Sequence, residues 1–287
     1  MDFIKSLNNN AALAKDEYQH EYVVIGTGIS FGCHAGDEIA AEKVQRRFVA
    51  DDEEIGELES LSYIRPDALG VTEQIVRNVE AQLAVKFTQY QYLALADHLD
   101  LTLKRLEQGI YLPDSTMGWA VKKLYCPEYQ FALKMLHHIN ESQALSATLS
   151  DSEATSLVLH IVSAENKYDQ VQDTLIITKL ISGIIQIVQL EGQLPLDSES
   201  FNYNRFITHL RAFMVNRISD KDGSDSEQAL DPSILRLIQL KYPAAYQTVQ
   251  RIGQYLQFQQ NWQLSNNEQV YLAIHVWRVT HRQTTEN

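Results

Sequence analysis

The sequence predicts a multidomain chain, with a small antiparallel β-sheet domain followed by two all-α helical-bundle domains. Three observations predict this. Residues 1–50 read as short strands broken by turns, whereas from about residue 65 apolar side chains recur every three or four positions. The helical part then holds one pattern twice. Leu149-Ser150-Asp151-Ser152-Glu153 through His160-Ile161 aligns with Leu264-Ser265-Asn266-Asn267-Glu268 through His275-Val276, at an offset of 115. Tyr92…Asp97-His98-Leu99 matches Tyr203…Thr208-His209-Leu210 at 111, and Tyr125…Tyr129 matches Tyr242…Tyr246 at 117. A repeat of about 110 residues is a whole domain, too long for a solenoid unit. The expected boundaries are 1–56 for the sheet domain, 57–64 for an acidic linker, and 65–170 and 171–287 for the helical domains.

Taken in order, Tyr22-Val23-Val24-Ile25 is a β-favouring run, Gly26-Thr27-Gly28 is a tight-turn signal, and Ile29-Ser30-Phe31 resumes the strand pattern. Phe3-Ile4, Ala11-Ala12-Leu13 and Val44…Phe48-Val49 supply further short strands. A domain of roughly fifty residues is marginal alone, so oligomerisation would help it. Residues 51–60 hold six acids and no base and read as a solvated linker. Val76, Val79, Leu83 and Phe87, then Tyr92, Leu95, Leu99, Leu103 and Leu106, follow helical spacing. Ser150-x-x-Glu153 and Ser265-x-x-Glu268 read as capping boxes, each opening a histidine-bearing helix. The stretch from Ser219 to Gln228 lacks periodicity and reads as a loop inside the second copy.

Composition narrows the function classes. The formal net charge is −13, which argues against nonspecific electrostatic binding to nucleic acid. Two distant cysteines, Cys33 and Cys126, fit a reducing cytoplasm. No signal peptide is expected, because Asp2 and Asn8 to Asn10 stand where an apolar region would be. The most apolar stretch, Leu175 to Leu190, is interrupted by Lys179, Gln186 and Gln189. It reads as a buried or amphipathic helix and not as a membrane insertion.

Glu153, Leu157 and His160 fall at i, i+4 and i+7, and Glu268, Leu272 and His275 repeat this, so each face carries carboxylate, leucine and imidazole. A histidine on an apolar face often only packs. Retention of both histidine positions in both copies favours chemistry. Metal binding is one reading, drawing on His137-His138 or Asp97, but the second copy has Gly253-Gln254 where His137-His138 stand. Phosphoryl acceptance is the other, since a neutral imidazole is a good nucleophile near pH 7. The paired histidines are 62 residues apart in the first copy and 66 in the second, and sequence alone does not say that they meet.

At these residues the chain resembles the transcriptional antiterminators of the BglG/SacY/LicT type, over essentially its full length. Ile4-Lys5-Ser6-Leu7-Asn8-Asn9-Asn10, Gly26-Thr27-Gly28-Ile29-Ser30-Phe31 and Gly36-Asp37-Glu38-Ile39 resemble the motifs of the co-antiterminator RNA-binding domain. The helical copies resemble the paired regulation domains of the sugar phosphotransferase system. The resemblance implies four phosphorylated histidines, His98, His160, His209 and His275. It also implies a homodimer that binds a leader-mRNA hairpin, with the phosphocarrier HPr and a sugar-specific permease as partners. It implies no cofactor, no metal and no enzymatic activity.

For the RNA, Lys5 can reach a phosphate, Asn10 a base edge or ribose hydroxyl, and Phe31 can stack on a base. Gly26, Thr27 and Gly28 form the turn that approaches the RNA. Plain readings stand beside these: a hairpin turn for the glycines, a polar turn for Asn8 to Asn10, and sheet core for Phe31. Relatives often carry Arg at the place of Thr27 and Lys or Arg at those of Cys33 and His34. With five bases against seven acids in residues 1–50, weaker or more salt-sensitive RNA binding is expected. The alternative is a phosphosensor acting through a protein partner without RNA.

Overall fold

The computed structural model describes residues 1–50, 60–111, 116–142, 145, 147–166, 171–219 and 231–281. The acidic run over 51–59, which includes residues 57–59 of the expected linker, and the polar stretch over 220–230 lie outside the described residues.

Four antiparallel strands pair in chain order: β1 (Asp2–Asn8), β2 (Ala11–Lys15), β3 (Glu21–Ile25) and β4 (Arg46–Val49). Strand alternation assigns two faces. Ala12, Ala14 and Val24 join Phe3, Ile29 and Ile39 in one apolar cluster. Leu13 lies opposite Val23, and Val23 opposite Phe48, on the other face. Phe48 carries that second face onto a helix, its ring 5.3 Å from that of Tyr92. Both faces of the central strands are therefore buried, as a marginal sheet requires.

The β1–β2 turn is set locally: Asn8 Oδ1 accepts from the Asn10 backbone N–H at 2.8 Å, an Asx turn. The expectation that Ile29-Ser30-Phe31 resumes a strand is corrected. Gly28 and Gly32 adopt positive φ (63° and 73°), and the segment between them is a run of turns. Ile29 still reaches the sheet core, which explains its strand-like pattern.

Ten α-helices follow among the described residues: α1 (Pro66–Leu83), α2 (Gln89–Glu107), α3 (Thr116–Leu124), α4 (Cys126–Ser142), α5 (Ala154–Glu165), α6 (Val171–Gly192), α7 (Phe201–Ser219), α8 (Pro232–Lys241), α9 (Pro243–Gln260) and α10 (Asn266–His281). Helix α1 opens on Pro66, whose fixed φ and missing N–H suit the first turn. It ends at Leu83 with Ala84 left-handed, so Phe87 lies outside it, a correction to the helical run read through that residue. Helix α2 opens on a reciprocal capping box between Thr88 and Gln91.

The chain forms two compact units. The first holds residues 1–115 and 126–171, and the second holds 116–125 and 172–287. In the first unit the sheet is tied to α1 and the turn before it. Arg46 Nε meets Glu73 Oε2 and Arg46 Nη2 meets Glu80 Oε2, both at 3.0 Å. Asn8 Nδ2 donates to the Leu61 carbonyl at 2.6 Å. In the second unit α6 is long and apolar enough to cross a membrane, but Ile177, Leu180, Ile181, Ile184 and Val188 are buried along it.

Candidate functional site

The two histidines of each copy do meet. In the first unit α2 brings His98 beside His160 of α5, with ring centroids 5.3 Å apart. In the second unit α7 brings His209 beside His275 of α10, with centroids 4.1 Å apart. The register read from sequence puts His160 and His275 each on one face with its carboxylate; α2 and α7 bring the other ring of each pair against that face.

The two sites differ in their surroundings. His160 is only 7% exposed. Burial, and then the neighbouring His98, push its pKa down to about 3. Its Nδ1 has no hydrogen-bond partner among the described residues. His98 is lowered too, by burial first and by Arg105, against the opposing pull of Glu153 and Asp97. Thr102 Oγ1 lies 3.5 Å from His98 Nε2, one helical turn on.

In the second site His275 is equally buried, and burial followed by His209 pushes its pKa to about 4. His209 is half-buried, and its pKa is lowered by burial and by Arg205 and Arg278. Tyr271 Oη stands 2.7 Å from His209 Nδ1. All four rings are thus biased toward the neutral form, the nucleophilic one.

The carboxylates at i−7 hold the helices together. Glu153 Oε1 accepts from Arg105 Nη2 at 2.7 Å, across from α2. Glu268 Oε2 accepts from Arg217 Nη2 at 3.1 Å, across from α7. The second capping box forms as expected: the Ser265 N–H donates to Glu268 at 2.7 Å, and the Glu268 N–H donates to Ser265 Oγ at 3.3 Å. The first is corrected. Glu153 sits in a short 3-10 turn before α5, Ser150 caps nothing with its side chain, and the Glu153 carboxylate goes to Arg105 instead. In the second copy Glu268 serves both its cap and Arg217, so the arginine alone does not exclude a cap; in the first copy the chain enters a 3-10 turn at Asp151–Glu153 and no cap forms. His137 pairs with Asp151 at 2.8 Å on the surface.

Sequence reasoning missed Arg105, Arg217 and Tyr271. Tyr271 was visible, because the alignment of the repeats sets it against Ser156. The arginines were less so: at the offset that aligns His98 with His209, Arg105 falls one residue short of Arg217.

At one end of the sheet, the first turn meets the glycine turn. Asn10 Oδ1 accepts from the Gly28 N–H at 2.8 Å, and the Gly26 N–H donates to the Asn10 carbonyl at 2.9 Å. Thr27 is exposed beside them. Phe31 is 79% exposed, so the sheet-core reading of that residue is corrected. Lys5 stands on the exposed side of β1. Asn10 also donates from Nδ2 to the Pro66 carbonyl at 3.0 Å, so both ends of its amide are engaged within the chain. A side chain at Gly26 would collide with the Lys43 carbonyl, so this glycine is required for close approach.

The family model of the CAT RNA binding domain matches residues 1–57, and that of the PRD domain matches twice, at 73–164 and 182–279. The chain belongs to this CAT–PRD family. Each PRD match of the CAT–PRD chain encloses one histidine pair, and the CAT match encloses Lys5, Asn10, Gly26, Thr27, Gly28 and Phe31. The chain is 29% identical over 281 residues to the transcription antiterminator LicT of Bacillus subtilis (strain 168), covering 97% of this chain and 99% of LicT. It is 28% identical over 281 residues to the beta-glucoside operon antiterminator of Dickeya chrysanthemi, covering 97% and 96%. The crystal structure of GlcT CAT-PRDI aligns with a TM-score of 0.48 and 27% identity, over 57% of this chain and 97% of that one.

Proposed function

We propose that this CAT–PRD protein is a cytoplasmic RNA-binding antiterminator of a sugar-utilisation operon, a regulator and not an enzyme. As a homodimer it binds a hairpin in the leader mRNA through Lys5, Asn10, Gly26, Thr27, Gly28 and Phe31, excluding an overlapping terminator. His98, His160, His209 and His275 accept phosphate from HPr and from the sugar permease of the phosphotransferase system. The observation that carries this reading is the histidine pair inside each PRD match, with both rings of each pair biased toward the neutral form. Full-length relatives named as antiterminators support the RNA output over a phosphosensor without RNA.

The physics supports a switch. A phosphate adds about −1.5 to −2 charges. A site as closed as that of His160 must open to accept it, because an unpaired charge is strongly disfavoured in an apolar interior. Moving a two-state population from one form to the other takes about 5.5 kcal/mol of differential stabilisation.

The test uses the full chain, the leader hairpin of its own operon, and HPr with enzyme I and phosphoenolpyruvate. A gel shift is expected at low salt, with affinity changing at least about tenfold on phosphorylation, roughly 1.4 kcal/mol. No shift at low salt sinks the RNA half. Absence of acid-labile phosphate with both HPr and the permease as donors sinks the phosphate half.

A further inference from the structure

The second histidine site carries groups that the first lacks. Tyr271 lies against both rings, with centroids 5.7 Å from His209 and 4.7 Å from His275. In the repeat alignment Ser156 takes its place. Arg205 precedes His209 by one turn on α7, and Arg278 follows His275 by three residues on α10, so helical geometry puts both guanidinium groups on the histidine faces. The first copy has Ala94 and Ser163 at those positions. Neither Arg205 nor Arg278 forms an ion pair among the described residues.

Only one tautomer of His209 lets both tyrosine contacts be hydrogen bonds. Oη is 2.7 Å from His209 Nδ1 and 3.5 Å from the His209 carbonyl oxygen. One hydroxyl proton cannot serve both. The carbonyl can only accept, so with the hydroxyl proton directed there Oη accepts from Nδ1–H. That leaves the Nε2 lone pair as the only nucleophilic electron pair on the ring.

We propose that Tyr271 is a positioning residue that commits His209 to phosphorylation on Nε2, and that Arg205 and Arg278 hold the transferred phosphoryl group. The inference rests on the phosphate-acceptor reading above. The donor is a protein carrying a phosphohistidine. The His209 Nε2 lone pair attacks phosphorus, the donor N–P bond breaks, and its electron pair returns to the donor nitrogen. The proton on the other nitrogen of each ring stays in place: the donor ends as neutral imidazole, and His209 ends as a phosphoimidazolium whose Nδ1–H donates to Tyr271. The two arginines meet the phosphoryl oxygens with charge-assisted hydrogen bonds.

The experiment uses the full chain with HPr, enzyme I and phosphoenolpyruvate. Nitrogen-15 NMR of the His209 ring reads the tautomer before transfer and the phosphorylated nitrogen after it. The unmodified protein should show the proton on Nδ1, with phosphate then on Nε2 alone. Tyr271→Phe should shift the unmodified ring toward the Nε2–H form, slow transfer about tenfold, and let phosphate appear on Nδ1. The double change Arg205→Gln and Arg278→Gln should lower phosphohistidine lifetime or yield about tenfold with the tautomer unchanged. Phosphate on His209 with the same rate and nitrogen in Tyr271→Phe overturns this inference and leaves the antiterminator reading standing. Phosphate on Nδ1 in the unmodified sequence does the same. No phosphate on any of the four histidines overturns both.

Discussion

Protonation of His160 is coupled to folding. Its pKa moves from the ordinary 6.5 to about 3, so the unfolded chain binds a proton in that window and the folded chain does not. The stability that depends on a neutral His160 is present in full above about pH 6.5 and is lost as pH falls toward 3. Its full size is on the order of 3–5 kcal/mol. His160→Gln should therefore flatten the acid limb of a urea-stability profile relative to the unaltered protein. Equal acid slopes would remove this account. At Gly26 the limit is steric. Gly26→Ala would press a methyl group into the Lys43 carbonyl, and a loss of about 1–3 kcal/mol is expected in thermal or urea unfolding.

Between elements, the two arginine–carboxylate pairs test how burial sets the worth of an ion pair. Glu153 is 5% exposed and Arg105 18%, whereas Glu268 is 16% and Arg217 25%. Removing Glu153 leaves Arg105 in a half-closed site, so Glu153→Ala should cost about 3 kcal/mol, and Glu268→Ala about 1–2. Double-mutant cycles with Arg105→Met and Arg217→Met measure both. Coupling in the second copy equal to or larger than in the first would contradict the ranking. The helices themselves were legible, because an apolar stripe such as Tyr92, Leu95, Leu99, Leu103 and Leu106 has to repeat at the helical period to reach a core. The pairing of the histidines was legible in register only; their meeting depends on how α2 and α7 lie on α5 and α10. Ser150 misled because the Ser-x-x-Glu spacing does not reveal that the chain there enters a 3-10 turn before α5. Ile29 misled because a turn residue buried in the sheet core looks like a strand residue.

At the scale of the molecule, one of the ties between the sheet and the first helical domain is an arginine between two carboxylates. Arg46 also stacks on Tyr92, its guanidinium carbon 5.3 Å from the ring centroid. Arg46→Ala removes the cation shared by Glu73 and Glu80, which keep Arg77 at 2.8 Å and Lys86 at 3.7 Å respectively, so a cost of about 3 kcal/mol is expected, the low end for a broken buried pair. Hydrogen exchange should then rise together in β4 and α1, since both depend on that side chain. Loss of protection in β4 alone would show that the tie is not shared.

The division of the chain into units also has a practical reach. Residues 116–125 belong to the second unit, while their neighbours on both sides belong to the first. The backbone therefore crosses between units three times, near residues 115, 125 and 171. A truncation that ends near residue 170 would keep α3 and Tyr125 but discard Thr178 and Arg211. Thr178 is the hydrogen-bond partner of Tyr125 at 3.2 Å, and Arg211 is the cation 4.5 Å above its ring. Such a fragment would expose an aromatic surface that the whole chain covers, and its tendency to aggregate would say nothing about the parent protein.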